Sequence, residues 1–393
     1  MRKGSPQDYT AETGCSKQPT QKSRLGEPHE CYSLYRIRRT QENYQFLRKD
    51  GRRPDCGRRQ PASGAHGVAA LGSGSKQVWH GAMEATLFSA WIYDTLKPYA
   101  QQLSMGHPAK MKAITAGKNK SDQVDARTIA DLLRCNLLPA SYVLPPQLRD
   151  LRRLLRYRNL VVQQSVRMQN KVAGLLMESG TAFNKQKLHQ KKYFADLMKS
   201  LEEVPESVKD LLRMSRGSME MFQSTQKQLV KRLLSEPALE QRVERLMSIR
   251  AVGPITALTW ALEIADPQRF ASIADAVSYC GLSAAFRSSA GKQQRGPISK
   301  QRNAWLQPVL IEAAKLAPLW NPQLAAVHAR ALERGHANRA TLQVARKLVA
   351  YLLAVDKSGQ PFQVHTPPPP AATTAKKKPA RKSKKAVALA PAA

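Results

Sequence analysis

Two aspartates three residues apart, Asp122 and Asp125 in Lys120-Ser-Asp-Gln-Val-Asp-Ala-Arg-Thr128, are the sharpest chemical signal in the chain. At that spacing they project from the same side of a helix's first turn, where two carboxylates can share a divalent ion. They serve equally well as helix-start residues: Asp122 as N-cap and Asp125 near N3 satisfy free amides and complement the helix dipole. Taken alone, that capping role is the commoner use of such a pair. Glu84 shifts the balance, because it ends the strand-like run Gln77–Glu84 upstream of the aspartate helix. Carboxylates on a strand and on a flanking helix suit Mg²⁺ or Mn²⁺, which can clamp the attacking and leaving oxygens of a phosphodiester.

A second constellation is Arg287-Ser288-Ser289-Ala-Gly-Lys292-Gln-Gln-Arg295-Gly-Pro-Ile-Ser-Lys300, which brings hydroxyls, glycines and cations together in a loop-like stretch. Such a loop can hold a phosphate and present Ser288 or Ser289 to it as a nucleophile. No neighbouring base is identifiable, and an ordinary solvated basic loop fits the composition as well. Between two apolar stretches, Arg250-Ala-Val-Gly253-Pro-Ile-Thr-Ala257 resembles a helix-hairpin-helix turn, where small residues let helix-start amides approach a phosphate. Ala251 stands where a second glycine is more usual, and a helix C-cap at Gly253 accounts for the same residues.

The elements that must position these groups follow from pattern. Residues 1–75 show apolar residues at neither period 2 nor period 3.6 and are expected to be disordered or out of frame. Residues 76–145 alternate strand-like and helical runs: a helix over Ala85–Leu96, a strand before His107-Pro108, and a helix over Ser121–Leu138. Leu148, Leu151, Leu155, Val162, Val166, Val172 and Leu176 recur near helical spacing. They predict one long helix that pairs with the segment broken at Pro205 and Pro237 as a coiled-coil arm over 146–245. Residues 246–330 read as a compact helical domain, 331–362 as a C-terminal helix, and 363–393 as a disordered Pro/Lys-rich basic tail that grips phosphates.

A formal net charge of +34 over 393 residues implies a polyanionic partner, nucleic acid first. No segment approaches the roughly 18 uninterrupted apolar residues of a spanning helix, so a membrane role is disfavoured and a cytoplasmic, nucleoid-associated chain is expected. The five cysteines, Cys15, Cys31, Cys56, Cys135 and Cys280, are odd in number, widely spaced and without a CxxC pair, so neither a disulfide framework nor a zinc site is indicated. Cys135 and Cys280 read as core filler. His80 and His107 show no metal-ligand spacing and read as surface or structural residues.

Taken in order, Met83-Glu84-Ala-Thr86, His107-Pro108 with Lys110, Lys120-Ser-Asp122-Gln-Val-Asp125-Ala, Val252-Gly253-Pro-Ile-Thr-Ala257, Gly281-Leu282 and Ser288-Ser-Ala-Gly-Lys292 resemble the DEDD-type insertion-sequence transposases. This is insertion-sequence family one-ten, which includes the Piv-type invertases, and the resemblance covers residues 77–320. It implies an α/β plus α fold: a ribonuclease-H/RuvC-like domain with four metal-holding acids, a coiled-coil dimerisation arm, and a small helical transposase domain with a catalytic serine. Carried over, Glu84, Asp122 and Asp125 match the second, third and fourth acids, and Ser288 or Ser289 the serine. Mg²⁺ or Mn²⁺, a DNA substrate, a guide (bridge) RNA and a homodimer or tetramer are implied in the same way. DNA contacts are expected from Arg250, Gly253, Arg287, Lys292, Arg295 and Lys300. The chain departs from the family at three places. No Gly-hydrophobic-Asp strand supplies the first acid, so the RuvC-like domain is expected to be incomplete and this copy inactive. Arg302 precedes Asn303 where glycine is usual, and Gln307 follows Leu306 where arginine is usual. A Holliday-junction-type nuclease using the acids alone and a non-catalytic basic nucleic-acid-binding remnant are the alternatives.

Overall fold

The computed structural model describes residues 30–35, 45–49, 57–59, 65–73, 79–114, 122–289 and 292–363. The tail beyond 363, with its expected disorder, lies outside them. The chain divides into two compact units, Met1–Pro146 and Gln147–Ala393.

The first unit is built on a five-stranded sheet. Its strands are β1 (Glu30–Tyr35), β2 (Gln45–Lys49), β3 (Gly57–Arg59), β4 (Trp79–Glu84) and β5 (Gln102–Gly106), in the order β3-β2-β1-β4-β5. The β1, β2 and β3 strands run antiparallel in succession, whereas β1, β4 and β5 are parallel. The helices are α1 (Ala65–Ser73), α2 (Ser89–Leu96), α3 (Pro108–Ile114) and α4 (Asp122–Arg134). Alternation along β4 sorts the core into two layers. Trp79 and Met83 join Val68 of α1 and Ile92 and Leu96 of α2 in one apolar cluster. Ala82 joins Met111 of α3 and Ala126 and Ile129 of α4 in another. Helix α4 packs across β1, β4 and β2.

This sheet departs from the expectation of a disordered or out-of-frame segment over residues 1–75. Three strands and α1 come from that segment, and the sheet that was expected to lack its opening strand has β1 at its centre. Sheet pairing uses backbone groups, so β1 needs only residues that tolerate an extended chain, which Glu-Cys-Tyr-Ser-Leu-Tyr supplies. Cys135 is a second correction. It lies beyond the last turn of α4 and is exposed, whereas Cys280 is buried and its thiol is pushed up to about 12 by desolvation.

The second unit begins with the 33-residue α5 (Pro146–Glu178), followed by α6 (Lys191–Lys199), the 29-residue α7 (Glu206–Leu234) and α8 (Pro237–Met247). Helices α5 and α7 run antiparallel. Val172 and Leu176 of α5 share a cluster with Phe194 and Leu197 of α6 and Leu212 and Met219 of α7. At the opposite end, Leu155 and Leu233 enter the main core. Buried Arg216 fastens the far end by donating to the Leu188 and His189 carbonyls and to Glu220, and it lies over the Phe194 ring.

The main core is formed around α9 (Pro254–Ile264), buried from Thr256 to Ile264. It is flanked by α10 (Ile273–Tyr279), the hairpin β6 (Ala284–Ser289) and β7 (Lys292–Ile298), and helices α11 (Leu306–Trp320), α12 (Pro322–Leu332) and α13 (Ala337–Ser358). Two carboxylates are buried here, and both are matched. Asp356 accepts two bonds from Arg242, each 2.7 Å, and one from Trp260 Nε1 at 2.9 Å. Glu263, fully buried, accepts from Arg156 of α5 at 2.8 and 2.9 Å and from Asn303 at 2.9 Å. A buried carboxylate keeps its charge at low cost only if such partners are all in place. Removing one partner of a pair like this costs several kcal/mol, reduced here because Arg156 is 38% exposed. Glu263→Ala is therefore expected to lower stability by about 2–3 kcal/mol in urea denaturation. A loss below about 0.5 kcal/mol, the range of an ordinary surface change, would contradict the role given to this pair.

Candidate functional site

Glu84 is the last residue of β4, on the same side of the strand as Ala82 and therefore on the face covered by α4. The backbone beyond it is held: Ala85 N–H donates to the Gly106 carbonyl at 3.0 Å, and Ser89 Oγ donates to the Thr86 carbonyl at 2.9 Å while accepting from Thr86 N–H at 3.1 Å. Thus the Glu-Ala-Thr run is a strand end locked to the start of α2. His107 is explained by structure as well. Its carbonyl accepts from Lys110 and Met111 N–H at 3.1 and 2.9 Å, and its N–H donates to Pro139, so it starts α3. His80 bonds the Gln101 and Gln102 side chains at 2.8 and 3.2 Å.

Asp122 opens α4 and is its first helical residue, with Asp125 three positions on. They precede Ala126 and Ile129 by one turn each, and those two residues are buried in the cluster with Ala82. Both aspartates belong to the first turn of α4. Among the described residues no three His, Cys, Asp or Glu are grouped closely enough to hold a metal; Asp122 and Asp125 enter only by their helix positions.

On β1, Leu34 aligns with Met83, so the strand passes directly beside the residues leading to Glu84. No acid lies at that end of β1. Its only carboxylate, Glu30, is at the other end, in register with Trp79. The strand is present and the first acid of the expected set is absent from it.

In the second unit, the stretch expected as a loop is a β-hairpin. Arg287, Ser288 and Ser289 align with Gln294, Gln293 and Lys292, and Phe286 with Arg295, with a register shift between Ala284 and Phe286. Pro297 is tolerated in β7 because a two-stranded ribbon has only edges, where proline needs no ladder partner. Gly253 is the N-cap of α9, with φ −87° and ψ 174°, which removes the alternative reading of it as a helix C-cap. Helices α8 and α9 are joined through 248–253, and Ala251 sits at φ +93°, a conformation that favours glycine. Arg250 and Lys300 are exposed.

Sequence reasoning missed what holds this unit's polar centre. Asn303 donates to Glu263 and accepts from Trp305 and Leu306 N–H at 2.9 and 3.1 Å, which starts α11. Gln307, 6% exposed, donates to the Gly281 carbonyl, so this departure from the expected arginine is a core contact. The signal available was Glu263 itself, a lone acid in the apolar run Trp260–Ile264.

The strand and helix acids thus lie in one unit and the serine-bearing hairpin in the other. Comparison with known proteins agrees. A transposase model of the IS110 DEDD type matches residues 64–180, and the model for the transposase IS116/IS110/IS902 family matches residues 243–329. The chain belongs to this family. It is 22% identical over 236 residues to a "Probable family 20 transposase" of Pseudomonas aeruginosa, covering 60% of this chain and 70% of that one. It is 24% identical over 251 residues to the transposase for insertion sequence element IS1328 of Yersinia enterocolitica, covering 62% and 74%. The DEDD match begins after β3, so the residues of β1–β3 lie outside it. Among the described residues no helix is long and apolar enough to cross a membrane.

Gly281 and Arg302 supply a test of the local packing. Gly281 has φ +73°, and a Cβ there would overlap the Arg302 Cβ. Gly281→Ala should cost about 2–4 kcal/mol, from backbone strain plus overpacking. In an Arg302→Gly background the cost should fall by at least about 1 kcal/mol, measured as a double-mutant cycle in urea. Additive effects would show that Arg302 does not crowd Gly281.

Proposed function

We propose that this chain is an insertion-sequence transposase that binds DNA through phosphate contacts, with a metal site of three carboxylates and a serine nucleophile in a separate unit. The observation that carries the reading is that Glu84 ends β4 on the face covered by α4, and that Asp122 and Asp125 lie in the first turn of that helix. Glu84, Asp122 and Asp125 would hold Mg²⁺ or Mn²⁺, hard ions suited to an all-oxygen donor set. When bound, the metal would supply charge neutralisation at a scissile phosphodiester. The chain's own part is to fix the donors: β4 is held by β1 and β5 on either side, and α4 is held by Ala126 and Ile129. With three acids in place of four, metal is held weakly, and DNA binding outlasts catalysis.

The serine step would be attack by a hydroxyl of Ser288 or Ser289 on phosphorus, forming a phosphoserine ester and releasing a DNA hydroxyl. Reversal onto a new strand end then rejoins DNA without loss of bond energy. Successive positions in a strand fall on opposite faces of the ribbon, so only one of the two serines serves a given bound strand. Arg250, Arg287, Lys292, Arg295 and Lys300 would neutralise phosphates, and Gly253 at the start of α9 would let a phosphate approach helix amides. The antiparallel α5–α7 pair would be the dimerisation arm, and a guide RNA is the further partner that the family resemblance implies.

Metal-linked stability tests the acid site without requiring turnover. Mn²⁺ should raise the melting temperature of the parent chain slightly, and the increment should vanish in Asp122→Asn/Asp125→Asn. Tyr35 follows Leu34, the partner of Met83, so Tyr35→Asp places a carboxylate on β1 beside Glu84. That variant should gain the larger increment, about 1.4 kcal/mol for each tenfold tightening at saturating metal. If the Asn variants respond to Mn²⁺ as the parent does, Asp122 and Asp125 serve only the helix start.

A further inference from the structure

A groove of about 810 Å³ in the second unit is lined by Arg330, Arg334, Arg339 and Arg346, and no acidic residue lines it. It lies between α12, the turn after it, α13 and the base of the β6–β7 hairpin, where Ala284 and Gly296-Pro297-Ile298 form one wall. Among the described residues none of the four arginines is in an ion pair. Elsewhere in this unit Arg153, Arg156, Arg213, Arg216 and Arg242 are each paired with an acid. Four unopposed guanidinium groups converging on one concavity repel one another, and an anion there removes that cost.

Two of the four are already aimed. Arg346, half-buried, donates from Nε to the Leu282 carbonyl at 2.8 Å, and Arg330 donates from Nε to the Ala326 carbonyl at 3.2 Å. Each such bond restrains a side chain that would otherwise lose its rotamer freedom on binding, and a guanidinium held by Nε keeps its terminal N–H groups for a phosphate oxygen. Arg334 and Arg339 are exposed on either side of Gly335, where the chain turns from α12 into α13. Val327, Ala331 and Leu342 add apolar lining, which lowers the local dielectric and strengthens the field of the cations.

We infer that this groove is a phosphodiester-backbone site for duplex DNA, separate from the hairpin tip and from the turn at Gly253. The inference rests on the transposase reading above and deepens it. The hairpin wall begins at Ala284, four residues before Ser288. At about 3.4 Å per residue that is roughly 14 Å, or about four base-pair steps. A strand whose phosphate is presented to the serines would thus have its flanking phosphates within reach of the arginines. The groove grips the backbone beside the reacting position and reads no base.

The test uses the full chain and a fluorescein-labelled DNA duplex, with anisotropy measured across a salt series. Arg330→Gln/Arg334→Gln/Arg339→Gln leaves Arg346 and its Leu282 bond intact. It should weaken binding at least tenfold and lower the slope of log K against log salt by about 2.7, which is three phosphate contacts. The control Arg153→Gln/Arg213→Gln/Lys315→Gln removes the same charge from cations already paired with Asp150, Glu206 and Glu312, and should shift the slope by less than about one. Equal effects of the two triple variants would reduce the groove to general charge and overturn the inference. Unchanged DNA binding with lost binding of a duplex RNA of the same sequence would overturn the choice of DNA. A parent chain that binds neither duplex would sink the transposase reading itself, whereas a parent that binds beside an unaffected groove variant would sink only the groove.

Discussion

The first unit depends on one strand accepting two kinds of neighbour. β1 pairs antiparallel with β2 and parallel with β4, and only that arrangement makes it the centre of the sheet. Everything that could do chemistry in this unit is positioned relative to it. β4 carries Glu84 to its end beside β1, and α4, which starts at Asp122, packs against β1 and β4. The strand order and directions are those of the ribonuclease-H fold. The pairing is made of backbone N–H and C=O groups, whereas catalysis needs one particular side chain. A strand can therefore take this place in the sheet without an acid at that end, as β1 does: its carboxylate, Glu30, stands at the end away from Glu84.

The second unit is organised by a different constraint, the cost of buried charge. Glu263 and Asp356 lie in the apolar core and are tolerated because Arg156 with Asn303, and Arg242 with Trp260, meet their oxygens. These contacts join distant parts of the chain. Arg156 belongs to the long α5 and Glu263 to the central α9, so the long helix is fastened to the core by a two-bond ion pair as well as by Leu155. Asn303 then couples the same carboxylate to the start of α11. Gln307 and Gly281 complete the junction, which makes the 279–307 stretch a packed support for the hairpin rising from it.

Much of this was legible in the sequence, and the exceptions have physical causes. The apolar spacing from Leu148 to Leu176 predicted a helix over Gln147–Ser179, and α5 spans Pro146–Glu178; Pro205 and Pro237 mark the breaks before α7 and α8. Glu84 at a strand end and Asp122 with Asp125 in a first helical turn were read from short-range pattern alone. β1–β3 were not, because strands of three to six residues with polar and apolar types mixed carry no periodic signal, and their pairing is long-range. The hairpin was hidden by Gly296-Pro297, and the Glu263 network by distance in sequence, since Arg156 and Glu263 are 107 residues apart. The arginine groove is formed by residues from four separate elements and has no local signature.

Amide hydrogen exchange resolved to short peptides tests most directly whether the opening segment completes the sheet, because protection there requires the long-range β1–β2 and β1–β4 pairing. Amides in residues 30–35 and 45–49 should exchange as slowly as those in 79–84, since they share one ladder. Rapid exchange throughout 30–59 while 79–84 and 102–106 stay protected would contradict the account, leaving β4 as an edge strand and Glu84 without the neighbour on which its site depends.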